Sequence, residues 1–136
     1  MIAPDSSVVI AALATWHVAH TAAREALAEA EVGLVAQVAY ETTSALSRMP
    51  EGRRIAPDVV LDALNRRFPA DWLALKGPQA RSALTRAVAA GVRGAALHDA
   101  LIAATAQQHE ARIVSANLRA KPAYDAIEAE IAYLRT

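Results

Sequence analysis

The first 13 residues read MIAPDSSVVIAAL, and this stretch decides the fold. A short apolar opening leads into Asp5, and an apolar run after Ser6 and Ser7 is long enough to begin a helix. We expect a strand that delivers Asp5 to its carboxyl end, with Ser6 or Ser7 as the N-cap of the next helix. Ligands bind at that edge in open α/β sheets. From this stretch alone, a site residue and a plain helix N-cap are equally good interpretations of Asp5.

Short apolar runs and helical patterns alternate along the rest of the chain. Further strands are predicted at residues 33–36, 72–75, 112–115 and 130–134. Helices are predicted over residues 22–30, 37–48, 57–67, 79–90 and 95–108. The polar segment 116–125 contains Pro122 and is predicted to be irregular. This alternation indicates βαβ units, a mostly parallel sheet and helices on both of its faces. The expected fold is α/β, a single three-layer α/β/α domain over residues 1–136.

The composition narrows the classes of function. The 136 residues include no cysteine, which excludes disulfides, thiol catalysis and zinc sites built on Cys. No apolar run approaches the roughly 20 residues that span a bilayer, and the N-terminus lacks the basic start of a signal peptide. We therefore expect a soluble, cytoplasmic protein.

The charge balance gives a weaker indication. Lys and Arg together equal Asp and Glu at 14 each, so the basic excess typical of nucleic-acid binding is missing. Arg nevertheless supplies 12 of the 14 cations, and Arg suits bidentate contacts with phosphate better than Lys does. A neutral total can still conceal a basic face around an acidic site.

Two carboxylates fall in apolar stripes of predicted helices. Asp99 shares a helical face with Ala95, Ala96, Ile102, Ala103 and Ala106, and Glu41 shows the same pattern more weakly. An ionised carboxylate turned inward costs several kcal/mol unless it is paired, hydrogen-bonded or bound to metal. A buried salt bridge is one explanation, although no Lys or Arg lies near Asp99 on its own face. The other is a hard divalent cation shared with Asp5 at the carboxyl edge of the strands.

Asn117 lies just beyond the predicted strand 112–115, at the same edge of the sheet. Its amide oxygen is a neutral ligand or hydrogen-bonding group, and Arg119 and Lys121 place cations next to it. The alternative is that Asn117 is an ordinary turn residue.

Four motifs in this order and spacing resemble PIN domains, specifically the toxin ribonucleases of VapBC toxin–antitoxin systems. They are IAPDSSVVI at 2–10, AYETTSALSR at 39–48, HDALIAATA at 98–106 and IVSANLRA at 113–120. Each motif alone is weak, but together they span nearly the whole chain.

The resemblance implies metal-dependent endonucleolytic cleavage of RNA with magnesium or manganese as the cofactor. In this resemblance, Asp5, Glu41 and Asp99 match the family's acids. Asp5 and Asp99 are expected to hold the metal, and Glu41 is expected to orient or deprotonate the attacking water. Where the family has a fourth acid, this chain has Asn117, which is either the group that the site natively uses or a replacement that blunts activity. In the resemblance, Ser7 and Asn117 fix water or phosphate by hydrogen bonds, and Arg119 is the nearest candidate for a phosphate contact.

The resemblance also implies partners, namely an antitoxin protein and a second copy of the chain in a homodimer. We expect Trp16, Met49 and the Ala-rich helices around them to line an apolar groove that binds an antitoxin helix. The competing function is a PIN domain too weak for turnover that binds RNA or a protein. A structure-specific DNA nuclease is a third interpretation, and it is disfavoured because the sequence has no extra helical arch or second domain to thread a flap.

Overall fold

The fold, seen in a computed structural model, is described for residues 1–135; Thr136, the end of the predicted domain, lies outside the described residues. The strands of its sheet are β1 (Ile2–Pro4), β2 (Arg112–Ser115) and β3 (Ile131–Tyr133). The α-helices of this range are α1 (Ser6–Leu13), α2 (His20–Ala28), α3 (Ala36–Ser47), α4 (Pro57–Arg67), α5 (Gly77–Ala89), α6 (Ala96–Gln108) and α7 (Lys121–Ala126). A single 3-10 turn, Leu118–Ala120, precedes α7.

The sheet is parallel, in the order β1-β2-β3. Because successive strand residues face opposite sides, Ile2 and Val114 join one apolar cluster with residues of α1 and α2. Ala3 and Ile113 join a second cluster on the other side, with residues of α3 to α7. The sheet is therefore covered on both faces, and the predicted three-layer α/β/α fold with a parallel sheet is confirmed.

The predicted strands 33–36 and 72–75 do not form a ladder in the sheet. They contact each other through one isolated parallel bridge, Val35 to Leu73, and a second isolated bridge joins Ile2 to Val32, just before the first segment. The extended segment before α3 is too short to form a ladder of paired residues, because α3 begins directly after Val35. Gly33 fits the tight crossing: a Cβ at this position would lie 2.7 Å from Leu73 Cδ1. The two segments were correctly predicted to be extended and wrongly predicted to be strands.

Two further sequence predictions are wrong. Residues 116–125 are not irregular, since α7 begins at Lys121 with Pro122 in its first turn, where proline is favoured because that N–H has no helical partner. The N-cap of α1 is Asp5 rather than Ser6 or Ser7, and its Oδ1 accepts a long 3.4 Å hydrogen bond from the Val8 amide. Among the described helices, none is long and apolar enough to cross a membrane.

Candidate active site

Three acidic residues from separate elements meet at the carboxyl end of the sheet. Asp5 directly follows β1, Glu41 lies in α3, and Asp99 lies in the first turn of α6. Glu41 and Asp99 line a cleft of about 530 Å³ between α1, α3 and α6. Asp5 is buried at the start of α1, with 3% of its surface exposed. The structure thus brings the predicted acids into one site.

The charges of these acids act on one another. The pKa of Asp99 is raised from 3.8 to about 6, first because its carboxyl is half-buried and then because Glu41 and Asp5 repel its charge, while His98 opposes the shift. The ion pairs among residues 1–135 are Asp62 with Arg66 and Lys121 with Asp125, both exposed. A buried salt bridge therefore does not account for Asp99, and the site is an acidic cluster without a paired cation.

Hydroxyl groups hold both oxygens of the Asp5 carboxylate. Ser7 Oγ donates to Oδ1 at 2.5 Å, and Tyr124 Oη donates to Oδ2 at 2.7 Å. Tyr124 is 1% exposed, and burial, followed by the charge of Asp5 and the hydrogen bond to it, raises the pKa of the phenol far above its ordinary value. The phenol therefore stays protonated and remains a donor, so the orientation of Asp5 is fixed from two sides.

Ser7 also ties the two halves of the site together. Its Oγ accepts a 2.8 Å hydrogen bond from the Ala116 amide, beyond β2, while its own proton goes to Asp5. Ser7 therefore positions the Asp5 carboxylate and also contacts the loop that carries Asn117. The contact with substrate that the sequence predicted for Ser7 stays a prediction.

Asn117 and Arg119 lie on the exposed turn after β2 and do not line the acidic cleft. Asn117 Oδ1 accepts a 3.0 Å hydrogen bond from the Arg119 amide and caps the 3-10 turn. The geometry is that of the turn residue considered in the sequence analysis. Lys121 is paired with Asp125 at 2.6 Å and is not a free cation beside the site. A ligand role for Asn117 and a phosphate contact for Arg119 stay predictions.

The sequence analysis missed one face of α3. Gln37, Tyr40, Ser44 and Arg48 line the same cleft as Glu41, at the spacing that places residues of a helix on one side. Gln37 reaches across to His98 of α6, with its Nε2 3.4 Å from Nδ1, and Arg48 brings a cation to the cleft. Gln37 and Ser44 lie four residues before and three after Glu41, and Tyr40 and Arg48 lie four residues on either side of Ser44, so helical spacing relates all four to Glu41. Tyr124 was missed because its segment was read as irregular.

The donor set fits a divalent ion held by few protein ligands. Within residues 1–135, no group of three or more His, Asp or Glu side chains is arranged to hold a metal ion. Three acids around one ion are therefore not preformed. Mg²⁺ normally keeps several waters and binds through one or two carboxylates, so the unpaired Asp5 and Asp99 carboxylates match its chemistry.

The partner groove expected at Trp16 and Met49 stays a prediction. Trp16 is half-buried, with the Arg53 guanidinium 4.9 Å above its ring. A separate apolar groove of about 400 Å³ lies between α3 and α4, where Tyr40, Leu61 and Trp72 contribute to its walls.

Comparison with known proteins agrees with this geometry. Residues 2–125 match the PIN domain family. Ribonuclease VapC40 of Mycobacterium tuberculosis is 39% identical over 131 residues, which cover 96% of this chain and 97% of that protein. Ribonuclease VapC27 of the same organism is 35% identical over 127 residues, 93% of this chain and 91% of the relative. The crystal structure of FitAcB from Neisseria gonorrhoeae has the same fold, with a TM-score of 0.70 at 20% identity over 96% of both chains.

Proposed function

This chain belongs to the PIN domain family, among proteins of the VapC type, and we propose that it is a metal-dependent endoribonuclease, the toxin of a toxin–antitoxin pair. Its relatives VapC40 and VapC27 are named as ribonucleases. The observation that carries the proposal is the acidic cluster: Glu41 and Asp5 both repel the charge of Asp99, and no ion pair among residues 1–135 includes any of the three. A site of this kind is stabilised by a divalent cation.

Asp5 and Asp99 are the proposed ligands of Mg²⁺ or Mn²⁺. When bound, such an ion supplies positive charge to the scissile phosphate and lowers the pKa of a bound water. Tyr124 and Ser7 hold the Asp5 carboxylate in one orientation, because each donates a hydrogen bond to one of its oxygens. Neither hydroxyl needs to touch the substrate to do this.

Glu41 is the proposed base. Its carboxylate lines the cleft together with Asp99, where it orients the attacking water and accepts its proton. Arg48 lines the same cleft and is a candidate phosphate contact, since guanidinium matches phosphate geometry. Arg119, Ser7 and Asn117 retain the substrate and water contacts proposed from the resemblance, with Asn117 and Arg119 acting from the exposed turn at the edge of the site.

The remaining proposals concern partners and location. An antitoxin protein and a second copy of the chain are expected from the VapC type. Leu84 and Val88 of α5 are 53% and 60% exposed and offer apolar surface to a partner. A cytoplasmic location is proposed because the RNA substrate is found there and a cysteine-free chain suits a reducing compartment.

A binding protein without turnover is the second candidate, and Asn117 favours it, because an amide replaces an acid and its oxygen already caps a turn. Incubation of end-labelled RNA with the protein in Mn²⁺, Mg²⁺ or EDTA separates the two. The nuclease proposal predicts new RNA ends with metal, none in EDTA, and none with Asp5→Asn. Retarded but intact RNA in every condition would support the binder and contradict the nuclease.

A further inference from the structure

Tyr40 is an aromatic side chain that the proposed chemistry leaves unused. It follows Ala39 in α3, and 75% of its surface is exposed. The chain has six Phe, Trp and Tyr residues, and the other five are buried or half-buried in the described structure. An exposed aromatic ring in so aromatic-poor a chain lacks the packing that explains the others.

The position of Tyr40 gives the ring a context. Tyr40 and Ser44 line both the acidic cleft and the apolar groove between α3 and α4. On one side of the ring are Glu41 and Asp99, where the scissile phosphate is proposed to lie. On the other side is an apolar space of about 400 Å³. The proposed phosphate site and an apolar space large enough to admit a nucleobase thus meet at one residue.

We propose that Tyr40 is the stacking platform of a nucleobase subsite, which takes the base of a nucleotide next to the scissile phosphate in single-stranded RNA. This inference rests on the proposed function. Bases of unpaired RNA are recognised by stacking on aromatic side chains, and a ring that accepts any base holds the strand without reading its sequence. Arg48, on the same face of α3 and in the same cleft, supplies the cation that such strands require.

Four different functional groups from α3 and its C-cap line the cleft. Gln37 offers an amide, Tyr40 a ring, Glu41 a carboxylate and Arg48 a guanidinium, all toward the cleft. When the scissile phosphate lies beside Glu41 and Asp99, the base of its nucleotide lies against the Tyr40 ring. A neighbouring phosphate of the strand then lies near the Arg48 guanidinium. The occupant of the groove nearest Tyr40 is therefore a nucleobase, and the strand follows the axis of α3.

The test is RNA binding in EDTA, where the proposed enzyme does not cut. Fluorescence anisotropy would follow a labelled single-stranded RNA of about ten nucleotides at low salt, together with a matching strand whose bases are removed. Tyr40→Ala should weaken binding of the intact RNA by at least about fivefold, since stacking contributes about 1–3 kcal/mol per base. Tyr40→Phe should bind like the wild type because it keeps the ring.

Two controls make the result specific. The base-free strand should bind the wild type and Tyr40→Ala equally, because neither can stack a base from it. Val18→Ala trims an apolar side chain that is 92% exposed and lines neither the cleft nor the groove, and it should leave RNA binding unchanged. The exposure of Tyr40 means that Tyr40→Ala should melt at the wild-type temperature.

Equal affinity of wild type and Tyr40→Ala for the intact RNA would overturn the subsite, as would an absence of saturable RNA binding by the wild type. Such a result would leave the ring as a protein contact. Cleavage in Mn²⁺ separates this inference from the nuclease proposal. If RNA binding depends on Tyr40 but no RNA is cleaved in Mn²⁺, the proposed nucleobase subsite stands and the proposed nuclease function is rejected. Cleavage with an unchanged KM in Tyr40→Ala keeps the nuclease and rejects the subsite.

Discussion

Tyr124 Oη donates a 2.7 Å hydrogen bond to Asp5 Oδ2, although 119 positions separate the two residues in the sequence. The bond joins α7 to the end of β1. With Ser7 on the other oxygen, it leaves the buried Asp5 carboxylate with a donor at each atom. These two donors fix the rotamer of Asp5, so the cation proposed for this site would meet a carboxylate that is already oriented.

Replacing Tyr124 by Phe should loosen this arrangement. We expect Tyr124→Phe to weaken Mn²⁺ binding about 10- to 100-fold, as is usual when a group that orients a metal ligand is lost. The metal-free protein should lose roughly 1.5–3 kcal/mol of unfolding free energy, since a buried carboxylate loses a donor. Calorimetric Mn²⁺ titration and urea unfolding measure the two effects.

Tyr133 is the matched control for that substitution. Its hydroxyl is buried and has no hydrogen-bond partner among residues 1–135, so Tyr133→Phe should leave both stability and Mn²⁺ affinity nearly unchanged or slightly improve stability. If Tyr133→Phe and Tyr124→Phe behaved alike, the hydrogen bond to Asp5 would have no special role.

The raised pKa of Asp99 predicts how stability depends on pH. Its folded pKa of about 6 exceeds its ordinary value of 3.8, so the folded state holds this proton more tightly than the unfolded state. The stability contributed by protonated Asp99 is therefore complete below pH 3.8, falls as pH rises through the window to about 6, and is absent above it. Because the side chain is half-exposed, the loss should be about 1–2 kcal/mol.

Asp99→Asn should remove that dependence. In metal-free urea titrations at several pH values, the variant should equal or exceed the wild type in stability at neutral pH. The difference between the two proteins should shrink as the pH falls from about 6 to 3.8, because the wild-type carboxyl becomes protonated in this window. A variant that is markedly less stable at neutral pH would indicate that Asp99 has a stabilising partner instead of repelling neighbours.

The fold was predictable because its signals are local. The apolar residues before and after Asp5 predicted β1 and α1, and the helix predicted over residues 57–67 is observed with the same bounds. For segments 33–36 and 72–75, the sequence could predict an extended backbone but not whether it pairs into a strand. An extended segment and a paired strand have the same local pattern, and the difference depends on which neighbours the chain reaches.

The site was only partly predictable. Asp99 and Glu41 stood out because a charge in an apolar stripe conflicts with its surroundings. Tyr124 could not be found this way, since a buried aromatic residue agrees with its surroundings and its function lies in one long-range hydrogen bond. For Asn117, the sequence placed the residue at the correct edge of the sheet, while its contact with the Arg119 amide depends on the conformation of the turn.

Asn117→Asp tests whether this position belongs to the acidic cluster. Asp caps a helical turn about as well as Asn does, so the variant should fold normally while adding a carboxylate at the edge of the site. We expect it to bind Mn²⁺ more tightly and to cut RNA faster, because a carboxylate is a stronger ligand than an amide. A cleavage time course at several Mn²⁺ concentrations measures both.

Asn117→Ala is the companion variant. It removes the acceptor for the Arg119 amide and should lower stability by about 1 kcal/mol, the usual effect of losing a cap. If Asn117→Asp binds Mn²⁺ no more tightly than the wild type while Asn117→Ala shows the loss of stability, Asn117 is a turn residue alone.

One metal ion shared by Asp5 and Asp99 is the central proposal for this site. Calorimetric titration of Mn²⁺ into the wild type, Asp5→Asn, Asp99→Asn and Asp62→Asn tests it most directly. Asp62 is the control because its exposed carboxylate pairs with Arg66 on α4, away from the cleft. We predict saturable binding by the wild type and by Asp62→Asn, and its loss in both site variants. Wild-type affinity in either Asp5→Asn or Asp99→Asn, or no saturable binding by the wild type, would contradict the shared site.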